Sequence, residues 1–129
     1  MSDESVAVVR KLYDAFVASD TETLSALLAE CTFHIPGENL IAGTYGGTDE
    51  ILGMFAHASE LSEGTIEFAI HDIVGAGEHA VALDRVTGRR SDGRTIDLNR
   101  IVIVNVEGDR ISEIWLNVED QYAFDDFWS

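Results

Sequence analysis

The stretch RTIDLNRIVIVNVEGDRISEIWLNV, residues 94–118, holds two extended apolar runs parted by Glu107-Gly108-Asp109, and its reading decides the fold. Two such runs joined by a tight turn read as neighbouring antiparallel strands. Working back, Asp92-Gly93 is a strong hairpin signal that ties HAVALDRVT to the first run, and Gly75-Ala76-Gly77 turns TIEFAIHDIV into HAVALDRVT. In TIEFAIHDIV, Ile66, Phe68 and Ile70 alternate with Glu67, Ala69 and His71, as expected of a strand with one buried face. Four long strands in sequence predict an antiparallel meander.

The first half has a different period. Val6, Val9, Leu12, Tyr13, Phe16 and Val17 recur at steps of three and four, which lays an apolar stripe on a helix of about four turns. Ser19 followed by Glu22 has capping-box spacing and starts a short second helix through Leu24, Leu27 and Leu28. CTFHI is a brief strand closed by Pro36-Gly37, since proline donates nothing to a sheet ladder. Thr48 is placed to cap a third helix, with Asp49 and Glu50 in its first turn and Ile51, Leu52 and Phe55 on its apolar face. The tail EDQYAFDDFW carries Tyr122, Phe124, Phe127 and Trp128, too much apolar surface for a free end, and is expected to dock. The 129 residues, 46% hydrophobic, suit one α+β domain over 1–129, its sheet covered on one face by about three N-terminal helices.

Charge and composition exclude several classes. With 24 acidic and 8 basic residues the net charge is −16, a field that repels phosphate backbones and anionic headgroups, so neither nucleic acid nor a membrane surface is expected as a partner. The acidic N-terminal stretch does not read as a signal peptide, no run approaches a membrane span, and a cytoplasmic protein is expected. Cys31 is the only cysteine and reads as a buried, inert thiol. His34, His57, His71 and His79 show no metal-ligand spacing, so no metal is expected. Gly43, Gly46 and Gly47 do not form a phosphate loop, because the spacing is wrong and no lysine follows.

The segments LYDAFVASDTETLSALLAECTFHIPG, GTYGGTDEILGMF and VEGDRISEIWLNVEDQY resemble the SnoaL-like group, related to ketosteroid isomerase within the nuclear transport factor 2-like superfamily. That resemblance covers nearly the whole chain. It implies a cone: a strongly curved, mainly antiparallel sheet wrapped around the helices, with an apolar pocket at the open end and a homodimeric assembly. It also implies where chemistry should lie. The isomerase base falls on His34 or Ile35, its tyrosine near Leu12 and Tyr13, and its second acid between Asn99 and Ile101. No carboxylate stands at either acid position, so that mechanism does not carry over. Epoxide hydrolase-like and polyketide cyclase-like members need a late-strand acid where this chain has Asn117.

His34 is the remaining acid–base candidate, since an imidazole titrates near neutral pH, and it shares strand parity with Thr32, opposite Phe33 and Ile35. Tyr13, Tyr45, Arg100, Trp115, Asn117 and Tyr122 are the candidate substrate-binding residues. Arg100 sits in an apolar strand and needs a partner, which Asp84 or Asp97 would supply. Trp115 and Asn117 share a parity suited to a pocket floor with one polar handle. Two functions follow. One is a cofactor-independent isomerase, cyclase or lyase acting on an apolar cyclic or polyketide-like molecule through His34. The other is a non-catalytic domain of the same fold that binds a hydrophobic ligand or dimerises. They part on whether His34, Arg100 and Asn117 face one space.

Overall fold

The computed structural model describes residues 2–129. Helix α1 (Ser2–Val17) and helix α2 (Thr21–Leu28) lead into β1 (Thr32–Ile35) and β2 (Gly43–Gly46). Helix α3 (Gly47–Leu61) precedes the long strands β3 (Glu67–Ala76), β4 (His79–Arg89), β5 (Thr95–Glu107) and β6 (Arg110–Val118), and α4 (Gln121–Phe127) closes the chain. The six strands form one mixed sheet in the order β2-β1-β6-β5-β4-β3. The meander β3 to β6 is antiparallel throughout, as the alternating runs predict. Strand β1 joins parallel to β6, with His34 opposite Trp115, and pairs antiparallel with β2.

One face of this curved sheet carries the core. Ile96, Leu98, Val102 and Val104 of β5 and Ile114 and Leu116 of β6 are buried against Leu24, Leu27, Leu28, Ile51 and Met54 of the helices. In β3 the register shifts between Ile70 and Asp72, so the alternation that puts Phe68 and Ile70 inward resumes with Ile73 inward, and His71 occupies the irregularity. Among the described residues no helix is long and apolar enough to cross a membrane.

Two local expectations are corrected, and one strand is added. Asp20, not Ser19, caps α2: its Oδ1 accepts from the Thr23 amide at 3.1 Å, while Ser19, at φ 54°, terminates α1 by donating its amide to the Phe16 carbonyl. Helix α3 begins at Gly47 after Gly46, so Thr48 lies inside the first turn and donates its hydroxyl to the Ser25 carbonyl; Glu50 accepts the Gly46 amide at 2.8 Å. Residues 43–46, for which the sequence gives no strand signal, are the edge strand β2, whose two glycines hide the alternation.

The tail docks as expected. Phe124, Phe127 and Trp128 are 2%, 1% and 3% exposed. Arg90 donates to the Phe127 and Ser129 carbonyls and Arg94 to the Asp126 carbonyl, which places two cations at the negative end of α4. On the other side Asp125 accepts from Asn39 at 2.7 Å, beside Gly37, whose φ of +99° and contact with Asp125 and Gln121 leave no room for a side chain.

Candidate functional site

The inward parity of the strands builds the site. Between sheet and helices lie two adjoining cavities, of about 130 and 60 Å³. The larger reaches Met54 and Ala58 of α3 and Phe124 and Trp128 of the docked tail, while the smaller runs to Leu12 and Tyr13 of α1 and Leu28 of α2. Phe16, Phe33, Phe55, Phe68, Leu116 and Arg100 line both. The four phenylalanines form a continuous edge-to-face chain, with ring centroids 6.0 Å apart for Phe33–Phe55, 4.6 Å for Phe55–Phe16 and 5.5 Å for Phe16–Phe68. Such contacts suit rings that enclose a space without filling it.

Arg100 is the charged group of this interior. Its Nε and Nη2 each donate to Asp84 at 2.7 Å, a bidentate pair directly opposite in the β4–β5 register. Tyr13 reaches across from α1 and donates its hydroxyl to Asp84 Oδ2 at 2.6 Å. The side chains of Arg100 and Asp84 are 13% and 0% exposed. The guanidinium carbon stands 4.4 Å from the centre of the Phe68 ring, a cation–π contact in a desolvated setting. Burial lowers the proton affinity of Arg100, but the hydrogen bonds and charge of Asp84, with a smaller contribution from Tyr13, more than reverse this, so the guanidinium stays charged. Burial and the Asp84 charge raise the Tyr13 hydroxyl well above its ordinary value, which keeps it a donor. Nε and Nη2 are held by Asp84, and the Tyr13 hydroxyl oxygen adds a further hydrogen-bond interaction with the guanidinium, which leaves Nη1 as the nitrogen that Asp84 does not take.

His34 lies elsewhere. Phe33 and Ile35 take the inward parity of β1 and line the larger cavity, so His34 projects from the opposite, convex face. There its Nε2 meets Glu113 Oε2 at 2.5 Å, its ring stacks on Trp115 with centroids 5.9 Å apart, and Thr44 lies 3.4 Å from Nδ1. Trp115 and Asn117 share that outer parity, because Ile114 and Leu116 point inward. His34, Trp115 and Asn117, expected to face the pocket, therefore line neither of these two cavities. The physical reason is simple: an apolar interior selects the apolar parity of a strand.

Tyr45 belongs to β2 and gives its hydroxyl to the Ile41 carbonyl at 2.8 Å, lining neither cavity. Tyr122 is 91% exposed on α4 and also lines neither. Of the candidates, the structure brings Tyr13 and Arg100 together and adds Asp84 as a site residue; its inward parity with Ala80, Ala82 and Val86 was the sequence signal for it. Cys31 is 1% exposed, and burial, with the Glu113 charge, pushes its thiol up to about 12, so it is no nucleophile at neutral pH. Among the described residues no group of three or more His, Cys, Asp or Glu side chains is placed to hold a metal ion.

Comparison with known proteins agrees with this architecture. A protein of Mycobacterium tuberculosis is 24% identical over 129 residues, covering 98% of each chain. The structure of Bal32a, from a soil-derived mobile gene cassette, superposes with a TM-score of 0.92 at 25% identity, covering 99% of this chain and 98% of that one. IdmH of Streptomyces antibioticus, a candidate polyketide cyclase, gives a TM-score of 0.73 at 22% identity over 89% of this chain and 91% of its own, a likeness of fold. The SnoaL-like domain family matches residues 9–114, and the chain belongs to that family.

Proposed function

We propose that the protein binds a small, ring-containing apolar molecule in the paired cavities, with an oxygen of the ligand on the Nη1 edge of Arg100. The observation that carries this reading is a largely buried guanidinium that lines both cavities, with Nη1 as the nitrogen that Asp84 does not take, set in mainly apolar walls. Few polar groups fixing orientation inside an apolar cavity is the usual make-up of a ligand site. The larger cavity, at about 130 Å³, compares with the roughly 150 Å³ apolar cavity that takes up benzene. One ring is therefore the natural unit of the ligand.

The same geometry argues against side-chain acid–base catalysis. Both oxygens of Asp84 already accept hydrogen bonds, Tyr13 is held protonated, and His34 is on the far face. Ligand binding is thus the leading reading. A second reading, cyclisation, is favoured by the Nη1 edge: a donor that polarises a carbonyl suffices where the substrate supplies its own nucleophile and proton acceptor. The likeness to IdmH supports that alternative at the level of fold.

The homodimer and the cytoplasmic setting belong to the same proposal. Val74, Val81, Leu83, Ile101, Ile103 and Trp115 form a stripe across β3 to β6 on the convex face, bordered by Asp72 on β3, with Val74 53% and Ile101 47% exposed. On such a stripe two copies of a chain carrying −16 can meet apolar side to apolar side.

The test of the pocket is a methyl-detected NMR titration with ethylbenzene. The Met54 and Ile35 methyl signals are expected to shift, Ala58→Trp, which puts an indole into the larger cavity, to abolish the shift, and His34→Ala to leave it unchanged. Shifts confined to the convex face, or binding that survives Ala58→Trp intact, would sink the reading.

A further inference from the structure

We infer that the ligand is a neutral carbonyl compound whose oxygen sits in the middle of the molecule, between a ring and a short apolar group; this rests on the pocket reading above. Three observations converge on that class. Arg100 lines both cavities, so an oxygen bound to it belongs where the two meet and not at the far end of either. The larger cavity accommodates a single ring, and the smaller, at about 60 Å³ against about 130 Å³, takes a shorter group. An aryl alkyl ketone has this shape, with the carbonyl one bond from the ring and a short alkyl arm.

Charge decides between a carbonyl and a carboxylate. Asp84 neutralises Arg100 through two hydrogen bonds, so the buried pair carries no net charge to offset an incoming anion. A carboxylate placed there would be a third charge between mainly apolar walls, uncompensated and partly stripped of water. The protein's overall −16 also opposes its approach. A neutral carbonyl incurs neither penalty, and it gives the Nη1 edge an acceptor that Asp84 does not supply.

Phe68 sharpens the selection. Its ring lies under the guanidinium at 4.4 Å and, through Phe16, joins the chain of rings between the cavities. The guanidinium plane is thereby held from one side by an aromatic face and along one edge by a carboxylate, which fixes the direction in which Nη1 donates. A ligand whose carbonyl is displaced by one carbon along the chain loses that alignment.

The experiment uses the intact protein and a matched series read by the same methyl signals: propiophenone, its hydrocarbon isostere propylbenzene, 4-phenyl-2-butanone with the carbonyl moved along the chain, and benzoate. A hydrogen bond to a charged donor is expected to make propiophenone bind about tenfold more tightly than propylbenzene. 4-Phenyl-2-butanone and benzoate should both fall below propiophenone. Leu12→Phe, which narrows the smaller cavity, should weaken propiophenone relative to acetophenone by about fourfold, the value of one buried methylene. Equal binding of ketone and hydrocarbon overturns the inference while leaving the apolar pocket standing. Benzoate as the tightest ligand overturns it in favour of an anion site. Failure of every compound, hydrocarbons included, overturns the pocket reading and the inference with it.

Discussion

Asp84 and Arg85 are consecutive residues of β4, and each forms an ion pair with a residue of β5, yet the two pairs live in different worlds. Asp84 points inward and holds Arg100 with side chains 0% and 13% exposed. Arg85 points outward, donates from Nε to Asp97 at 2.6 Å and from Nη1 to Asn99 at 3.1 Å, and leaves its own side chain 47% and that of Asp97 61% exposed. The residue types and distances are nearly the same. One step along a strand changes the face, and the face changes the dielectric in which the charges meet. The concave face turns a charge pair into a fixed structural element that can orient a ligand; the convex face leaves it to solvent.

That contrast is most severely tested by breaking the inner pair. Arg100→Met leaves Asp84 buried with only the Tyr13 hydroxyl as a donor and is expected to cost about 3–5 kcal/mol, whereas Asp84→Leu with Arg100→Met should recover most of that loss, because removing both charges removes the desolvation penalty. Urea unfolding of the two variants measures it. A loss below about 1 kcal/mol for Arg100→Met, the range of exposed pairs, would mean that water reaches the pair and that the two faces do not differ as described.

The outer face yields an effect of another kind. Trp115→Glu introduces a charge into the stripe formed with Ile103 and Val81, and is expected to convert a dimer to a monomer in light scattering while leaving ring binding within about twofold, since Trp115 lines neither cavity. A wild-type protein that is monomeric at the concentrations of the assay removes the stripe as an interface. Lost ring binding in a folded Trp115→Glu protein would instead show that the faces are coupled.

How much of this was legible in the sequence follows the same division. The meander could be read because its turns, Asp92-Gly93 and Glu107-Gly108-Asp109, punctuate long runs of period two. The edge strand β2 could not, since GTYG has no apolar alternation and becomes a strand through its pairing with β1, and the parallel join of β1 to β6 links residues some 80 positions apart. Within the site, Arg100 was legible from its parity with Val102 and Val104, and Tyr13 from the apolar stripe of α1. His34, Trp115 and Asn117, whose chemistry drew attention in the sequence, line neither cavity. Phe33, Ile35, Ile114 and Leu116 hold the opposite parity, and an apolar cavity takes those positions first. What no local pattern supplies is the meeting of Tyr13 with Asp84, 71 residues apart. That contact depends on the angle at which α1 crosses the sheet.

The smallest expected effect belongs to the pair one residue away from the site. In Arg85 the guanidinium is held above its ordinary value by the hydrogen bond and charge of Asp97, but it lies in water, where salt screens such attraction within roughly 3 Å at 1 M ionic strength. Arg85→Gln and Asp97→Asn are each expected to leave the urea midpoint within error at that salt, and to leave ring binding unchanged. The comparison is strict because Asp84→Asn and Asp97→Asn make the same chemical change on the two faces. In Asp84→Asn the two nitrogens of Arg100 and the Tyr13 hydroxyl lose their shared anion, and the new amide cannot accept through its nitrogen. If the two Asn variants unfold at the same midpoint, burial is not what separates these pairs, and the oriented donor on which the ligand reading depends has no structural support.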